Sequence, residues 1–347
     1  MKKRTLAILF TVVMTFTILA GCSGKPKKDI SSKTPEEPVS IQNEKSNAAQ
    51  TKYPLSIDIY NAEGNLMTIT FDHAPERIVS TQLSITEILL ELGLKDKIVG
   101  ILDNDNAVED ALALELADLN SLGYKTNISK EAILAAEPDI VMGKAALLFT
   151  EKMIGTVEDY QELDISVYTQ LASANIPQTM DNIIQDIRNI GMIFDVQEKA
   201  DAYAQSLQKQ LDNTLKTVSS KTAEREKMKV LLMCAYQDGV FSAFSSAMHS
   251  AMLEAINAEN VLDQGGADFT LENLITLNPD AIIYITADRF AEVDTNAIER
   301  LLAEEIIQSV PAIANEKILK IGYDDIMDFG VRNIDTIDIL ADFLYEY

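Results

Sequence analysis

Few side chains in this 347-residue sequence are of the kinds that do covalent or metal chemistry, and their spacing narrows the choice. Two histidines, His73 and His249, and two cysteines, Cys22 and Cys234, are too sparse for a transition-metal cage, which generally takes several such ligands. His249 follows Ser245-Ser246-Ala247-Met248, so a Ser–His pair is conceivable, but no Gly-x-Ser-x-Gly elbow supplies a nucleophile. Neither Gly-x-x-x-x-Gly-Lys-Ser/Thr nor His-Glu-x-x-His is present. Asp324, Asp325 and Asp328 could hold a hard cation, or could be the solvated face of an acidic chain. What does recur is a glutamate in a fixed frame.

That frame occurs twice, as Ser129-Lys130-Glu131-Ala132-Ile133-Leu134 leading to Glu137-Pro138-Asp139, and as Thr270-Leu271-Glu272-Asn273-Leu274-Ile275 leading to Asn278-Pro279-Asp280. Each matching pair is 141 residues apart, and an apolar run follows each copy. Ser129 and Thr270 are N-cap types that accept bonds from the free N–H groups of a first helical turn. Glu131 and Glu272 then fall at the second helical position, facing the positive end of the macrodipole. A residue before proline avoids the α region, so the helices should end at Glu137 and Asn278. One capped helix plus one buried strand, used twice, implies two similar lobes.

The elements around these units follow from periodicity. Lys2, Lys3 and Arg4 precede an apolar run, Leu6 to Ala20, of about 15 residues, short of the roughly 20 that a spanning helix needs. Residues 1–21 are therefore expected to be a targeting segment. Residues 22–54 are rich in Lys, Ser, Pro, Glu, Asn and Gln, too polar to build a core. They predict a tether, with a reach of about 30 Å. Without residues 1–21, which carry three cations and no acid, the formal charge moves from −25 to −28. A chain this acidic does not hold polyanions, which excludes non-specific nucleic-acid binding. Cys234, in an apolar run, reads as a small buried hydrophobe.

Residues 55–60 and 66–71 alternate as a hairpin, and 77–80 and 97–102 read as strands flanking a helix over 84–92. A helix over 147–163 and a strand over 165–168 complete an N-terminal α/β lobe, 55–175. Apolar spacing of three and four from Met180 to Phe194, and again from Ala200 to Leu215, predicts connecting helices over 176–217. A C-terminal α/β lobe, 218–347, restarts the alternation with strands over 230–235, 281–285 and 318–321. Helices are expected over 250–258, 297–307 and 334–344. Alternating strands and helices imply parallel sheets, whose ligands bind beyond the strands' carboxyl ends. A cleft between lobes is the expected site.

Several spaced motifs carry a resemblance. Leu19-Ala20-Gly21-Cys22 resembles the lipobox of bacterial lipoproteins, which implies diacylglyceryl lipidation of Cys22. Ala74-Pro75-Glu76-Arg77-Ile78-Val79-Ser80, Thr86-Glu87-Ile88-Leu89, Leu92-Gly93 and Lys97-Ile98-Val99-Gly100 resemble the opening of a known family. It is the substrate-binding proteins of ABC importers for iron–siderophores, haem and cobalamin. Both Glu-x6-Pro-Asp stretches, Ala258-Glu259-Asn260-Val261 and Gly330-Val331-Arg332 fit it too.

The resemblance implies two Rossmann-like lobes joined by one long rigid helix, expected around Met180 to Phe194. It implies a non-enzymatic protein with no intrinsic cofactor, lipid-anchored on the outer side of the cell membrane. Such a protein captures a metal chelate, ferric siderophore first and haem or a corrinoid next. It delivers the chelate to a permease dimer with its ATPase subunits. Glu131 and Glu272 match the family's permease-docking glutamates. Tyr124 matches the iron-ligating tyrosine of haem-binding members, although Thr126 stands where those carry arginine. His249 would be a second axial ligand in that case. Met248, Tyr236, Tyr323 and Arg332 are further ligand-contact candidates, Arg332 for anionic groups. Two other readings remain: an exported hydrolase using His249, and a ligand-sensing lipoprotein without a permease.

Overall fold

The computed structural model describes residues 50–346 other than Asn175. Cys22, the targeting segment and most of the expected tether lie outside the described residues. The folded chain starts earlier than residue 55. The Thr51 N–H donates to Asp195 Oδ1 at 2.6 Å, and the Tyr53 hydroxyl donates to the Ile193 carbonyl at 2.7 Å. These bonds pin residues 51–53 to the end of a connecting helix.

The hairpin forms as expected from β1 (Leu55–Tyr60) and β2 (Leu66–Phe71), antiparallel in register from Leu55–Phe71 to Tyr60–Leu66. β3 (Ile78–Ser80), β4 (Ile98–Ile101), β5 (Ile140–Gly143) and β6 (Ser166–Thr169) make a parallel sheet in the order β4-β3-β5-β6. The helix expected over 147–163 is instead two short helices, Ala145–Leu148 and Val157–Gln161. Gly155, at φ +97, turns the chain. Thr156 then caps the second helix, its hydroxyl accepting from the Asp159 N–H at 3.2 Å while Asp159 accepts from the Thr156 N–H at 2.8 Å.

The second sheet is mixed. β7 (Met228–Gln237), β8 (Val240–Phe244), β9 (Ala258–Asn260), β10 (Gly266–Thr270), β11 (Ala281–Thr286) and β12 (Ile318–Gly322) run in the order β10-β8-β7-β11-β12, with β9 also on β7. β7, β11, β12 and β9 pair in parallel, as alternation with helices requires, whereas β8 and β10 are antiparallel additions. The β7–β8 turn is Asp238-Gly239, both at positive φ, the geometry that matches strand twist in a two-residue hairpin. Alternate residues of this sheet serve two cores. Val230, Leu232, Ile283 and Ile285 join the main core, which continues into the N-terminal sheet. Leu231, Met233, Ile282 and Tyr284 face a smaller one.

Two connecting helices link the sheets, Met180–Ile193 and Gln197–Thr222. The spanning helix is the second and not, as expected, the first. Its 26 residues measure about 39 Å at 1.5 Å per residue. Lys199 in its first turn donates to the Leu92 carbonyl of the N-terminal lobe, at 3.0 Å. Lys221 in its last turn donates to the Glu346 carbonyl of the C-terminal lobe, at 3.2 Å.

Candidate functional site

Both repeat units form as their local chemistry requires. Ser129 Oγ accepts from the Ala132 N–H at 3.3 Å, and the Asn273 carboxamide accepts from the Thr270 N–H at 2.8 Å. Glu131 and Glu272 are exposed at the second position of the helices Lys130–Ala135 and Leu271–Leu277. Backbone N–H donors of the helix start and the Ser129 hydroxyl hold the Glu131 carboxyl below the usual range; the Thr270 hydroxyl and the backbone do so for Glu272. Glu137 and Asn278 both take the left-handed conformation, φ +50 and +47, that closes a helix. The Asp of each Pro-Asp then ties down its lobe's first parallel strand. Asp139 accepts from the N–H groups of Glu76 and Arg77 at 2.7 and 2.9 Å, and Asp280 from the Lys229 N–H at 2.9 Å.

The carboxyl ends of the two sheets meet across a polar seam. Asp324, just after β12, accepts from the N–H groups of Asp105 and Asn106 at 2.7 and 2.9 Å. Asn106 donates to the Thr286 carbonyl, at the end of β11, and accepts from the Tyr323 N–H. Lys144, just after β5, donates to the Met327 carbonyl and lies 4.0 Å from Asp328. The Ser84 N–H, which opens the helix Leu83–Glu91, donates to Asp328 Oδ2 at 3.4 Å.

Tyr124 and Tyr323 come together here. The Tyr124 hydroxyl and the Lys125 ammonium both donate to the buried Asp105 carboxylate. Arg289 pairs with that carboxylate as well, and donates to the Tyr124 hydroxyl at 2.6 Å. Lys125 and Arg289 also lie against the Tyr323 ring, 4.6 and 4.3 Å from its centre, with the Phe244 ring edge-on at 6.5 Å. Burial and the Asp324 charge push the Tyr124 hydroxyl up to about 12. Burial and the neighbouring Asp328 raise Asp324 to about 7, and burial brings the Lys144 ammonium down to about 8.

The other sequence candidates are differently placed. Arg332, a candidate for anionic ligand groups, is already committed: it reaches Glu87 at 2.9 and 3.0 Å, Asp325 at 2.9 Å and Glu109 at 3.1 Å. Glu87 and Glu109 belong to the opposite lobe, so Arg332 is a strap between lobes. Tyr236 is buried, and its partners Glu304, Tyr284 and Arg300 are all in its own lobe. Met248 is buried too, its N–H donating to Gln178 at 2.8 Å. His249 is buried, edge-on to Phe329 at 5.3 Å and beside the Ile326 backbone. Burial pulls its pKa down to about 4; Lys144 pulls the same way and the Ile326 backbone opposes. Ser246, whose hydroxyl caps the helix Ala247–Ala255 by accepting from the His249 N–H, makes no Ser–His pair.

Asp324, Asp325 and Asp328 do not converge on a cation. They are engaged separately, by backbone N–H groups, by Arg332, and by Ser84 with Lys144. The described residues hold no cluster of three or more His, Cys, Asp or Glu suited to a metal. Sequence reasoning missed Asp105, Lys125, Lys144 and Arg289. Lys144 directly follows β5, a position that the rule about carboxyl ends could have singled out.

Two α/β sheets whose carboxyl ends oppose each other, linked by two connecting helices, define a two-lobed binding protein. The chain belongs to the periplasmic binding protein family, whose model matches residues 78–324. It is 25% identical to the uncharacterized ABC transporter substrate-binding lipoprotein YvrC of Bacillus subtilis, over 99% of this chain and 98% of that one. It is 20% identical to a cobalamin-binding protein of Halobacterium salinarum, over 82% of this chain and 74% of that one. The fold matches that of an ABC-type Fe3+-hydroxamate transport protein from Saccharomonospora viridis with a TM-score of 0.68, at 21% identity, covering 84% of this chain and 99% of that one. The chain is thus a substrate-binding protein of the periplasmic binding protein family. No helix among the described residues is long and apolar enough to cross a membrane.

Proposed function

We propose that this protein, anchored by a lipid on Cys22, captures a metal chelate at the seam between its lobes. It then docks on its permease through Glu131 and Glu272, while a separate ATPase subunit supplies the energy. The chain itself catalyses no reaction. The observation that carries the reading is the pair of exposed glutamates, each at the second position of a capped helix that ends in a Pro-Asp clamp, one in each lobe. A dipole benefit alone explains an acid in a first turn, but not this equivalence. A ferric siderophore is the first ligand to test, with haem and a corrinoid next.

Full-length protein purified from its host and titrated with chelates should bind one equivalent saturably and release it unchanged. Turnover of the bound chelate, or its loss on His249→Phe, would favour the hydrolase reading instead. An absorption spectrum of the purified protein separates the ligands: a Soret band marks haem, and a corrinoid or a ferric siderophore has its own visible bands.

A further inference from the structure

Two arginines of the C-terminal lobe cross the seam, and they stand on different footings. Arg332 opens the 14-residue helix Arg332–Tyr345, and its guanidinium is spread over Glu87, Glu109 and Asp325. Arg289 sits on a single helical turn, Asp288–Phe290, that leads from β11 into the short helix Ala291–Asp294. Its side chain is 28% exposed, against 15% for Arg332. Across the seam it meets the buried Asp105 carboxylate and the Tyr124 hydroxyl. Within its own lobe it rests on the faces of two rings, Phe290 at 4.6 Å and Tyr323 at 4.3 Å.

Charge balance lets Arg289 leave more readily than Arg332. Asp105 also pairs with Lys125 of its own lobe and accepts from Tyr124. When Arg289 swings into water, that carboxylate therefore keeps a cation and a donor, and no buried charge is stranded. Glu87 is different. It is partly buried and feels Glu109 and Asp328 besides Arg332, so losing Arg332 would leave it among acids.

Arg289 also stands beside a clasp. Residues 105 and 106 of the N-terminal lobe are gripped by loops of the other lobe. The Asp288 N–H, next to Arg289, donates to the Asp105 carbonyl at 2.8 Å. The N–H groups of Asp105 and Asn106 donate to Asp324, and the Asn106 carboxamide bonds to Thr286 and Tyr323. By holding the Tyr124 hydroxyl and covering the Tyr323 ring, Arg289 closes the approach to both tyrosines.

We propose that Arg289 is the latch of this clasp. Its bonds to Asp105 and Tyr124 hold the seam shut, and its release frees residues 105–106 and uncovers Tyr124 and Tyr323. Arg332 stays bound and keeps the lobes joined. The latch is independent of what the seam takes; only its use, to admit a ligand, rests on the capture reading above.

Amide hydrogen exchange of the full-length, ligand-free chain in detergent tests this, because opening exposes amides that are bonded across the seam. In Arg289→Ala, the amides of Asp105, Asn106, Asp288 and Tyr323 should exchange at least ten-fold faster. Strand amides at the centre of each sheet, Val141 and Ile283, should exchange as before. Lys125→Met should do the opposite at the same four amides, slowing them several-fold, because Arg289 then becomes the cation that Asp105 cannot lose. Unchanged exchange in Arg289→Ala would overturn the latch. So would acceleration that includes Val141 and Ile283, which would make Arg289 a residue of general stability, or faster exchange at the four amides in Lys125→Met. Since no ligand enters the measurement, each of these failures leaves chelate capture standing.

Discussion

The two copies of the helix–proline–aspartate unit share a skeleton and differ in their surroundings. Both place an exposed glutamate second in the helix, both close in a left-handed residue, and both tie a first strand with an aspartate. Around the N-terminal copy the neighbours are polar. Lys130 pairs with Asp159 at 3.2 Å, and Arg77 donates to the carbonyls of Glu137 and Ala136 that end the helix. Around the C-terminal copy Asn273 closes a capping box on Thr270, and Ile275, one turn beyond Glu272, is exposed, as is Ile306. What the copies share is what the fold and the glutamate need. What differs is what a partner would meet.

The largest effect expected from breaking the equivalence is on transport. Glu131→Arg with Glu272→Arg should abolish uptake in cells while chelate affinity in vitro stays the same; normal uptake by the double variant would remove docking from the account. Each single variant should retain part of the uptake if the lobes contribute separately.

A second contrast is in titration, since the buried seam histidine belongs to the C-terminal lobe only. His249 is held neutral, with a folded pKa of about 4 against 6.5 unfolded. The unfolded chain therefore binds the proton more readily between those values. The stability due to neutral His249 is present above pH 6.5 and lost as pH falls through 4, a total of roughly 3 kcal/mol. Urea unfolding at pH 7 and at pH 4.5 should show this loss, and His249→Phe should flatten it. An unchanged slope in that variant would place the acid sensitivity elsewhere.

Smaller differences should separate the two strand clamps. Asp139 accepts two backbone donors and Asp280 one, so Asp139→Ala should cost about 2 kcal/mol and Asp280→Ala about 1 kcal/mol in urea unfolding. Equal costs would mean that the second bond on Asp139 adds nothing. Smallest of all is the helix end. Glutamate strains in the left-handed region where asparagine is tolerated, so Glu137→Gly should stabilise by about 1 kcal/mol and Asn278→Gly by a few tenths. A thermal melt reporting the reverse order would sink the strain argument.

Much of the fold was legible. The hairpin, both repeat helices, the connecting helices and the final helix all follow from periods of two or three-to-four and from cap and proline chemistry. Two misses had signals in plain view. Asp238-Gly239 announces the β7–β8 hairpin, and Gly155-Thr156-x-x-Asp159 announces the break in the expected 147–163 helix. The choice of spanning helix had no such signal, because both connecting helices are amphipathic and the apolar spacing runs to a similar extent in each, Met180 to Phe194 and Ala200 to Leu215.

By itself the sequence determined what lies within a few residues: where Glu131 and Glu272 stand, how their helices start and stop, and which strands are buried. Capping, proline sterics and side-chain periodicity act over one or two turns, so a local reading suffices. Only the tertiary structure decided the seam. Ser84 meets Asp328, Asp105 meets Asp324, and Glu87 takes Arg332, pairs more than 200 positions apart in the chain. Such pairings depend on how two lobes sit about a long helix, and a side chain's type says nothing of its distant partner. For the same reason nothing in the sequence shows that Arg332, a candidate for anionic ligand groups, meets Glu87 and Glu109 of the other lobe.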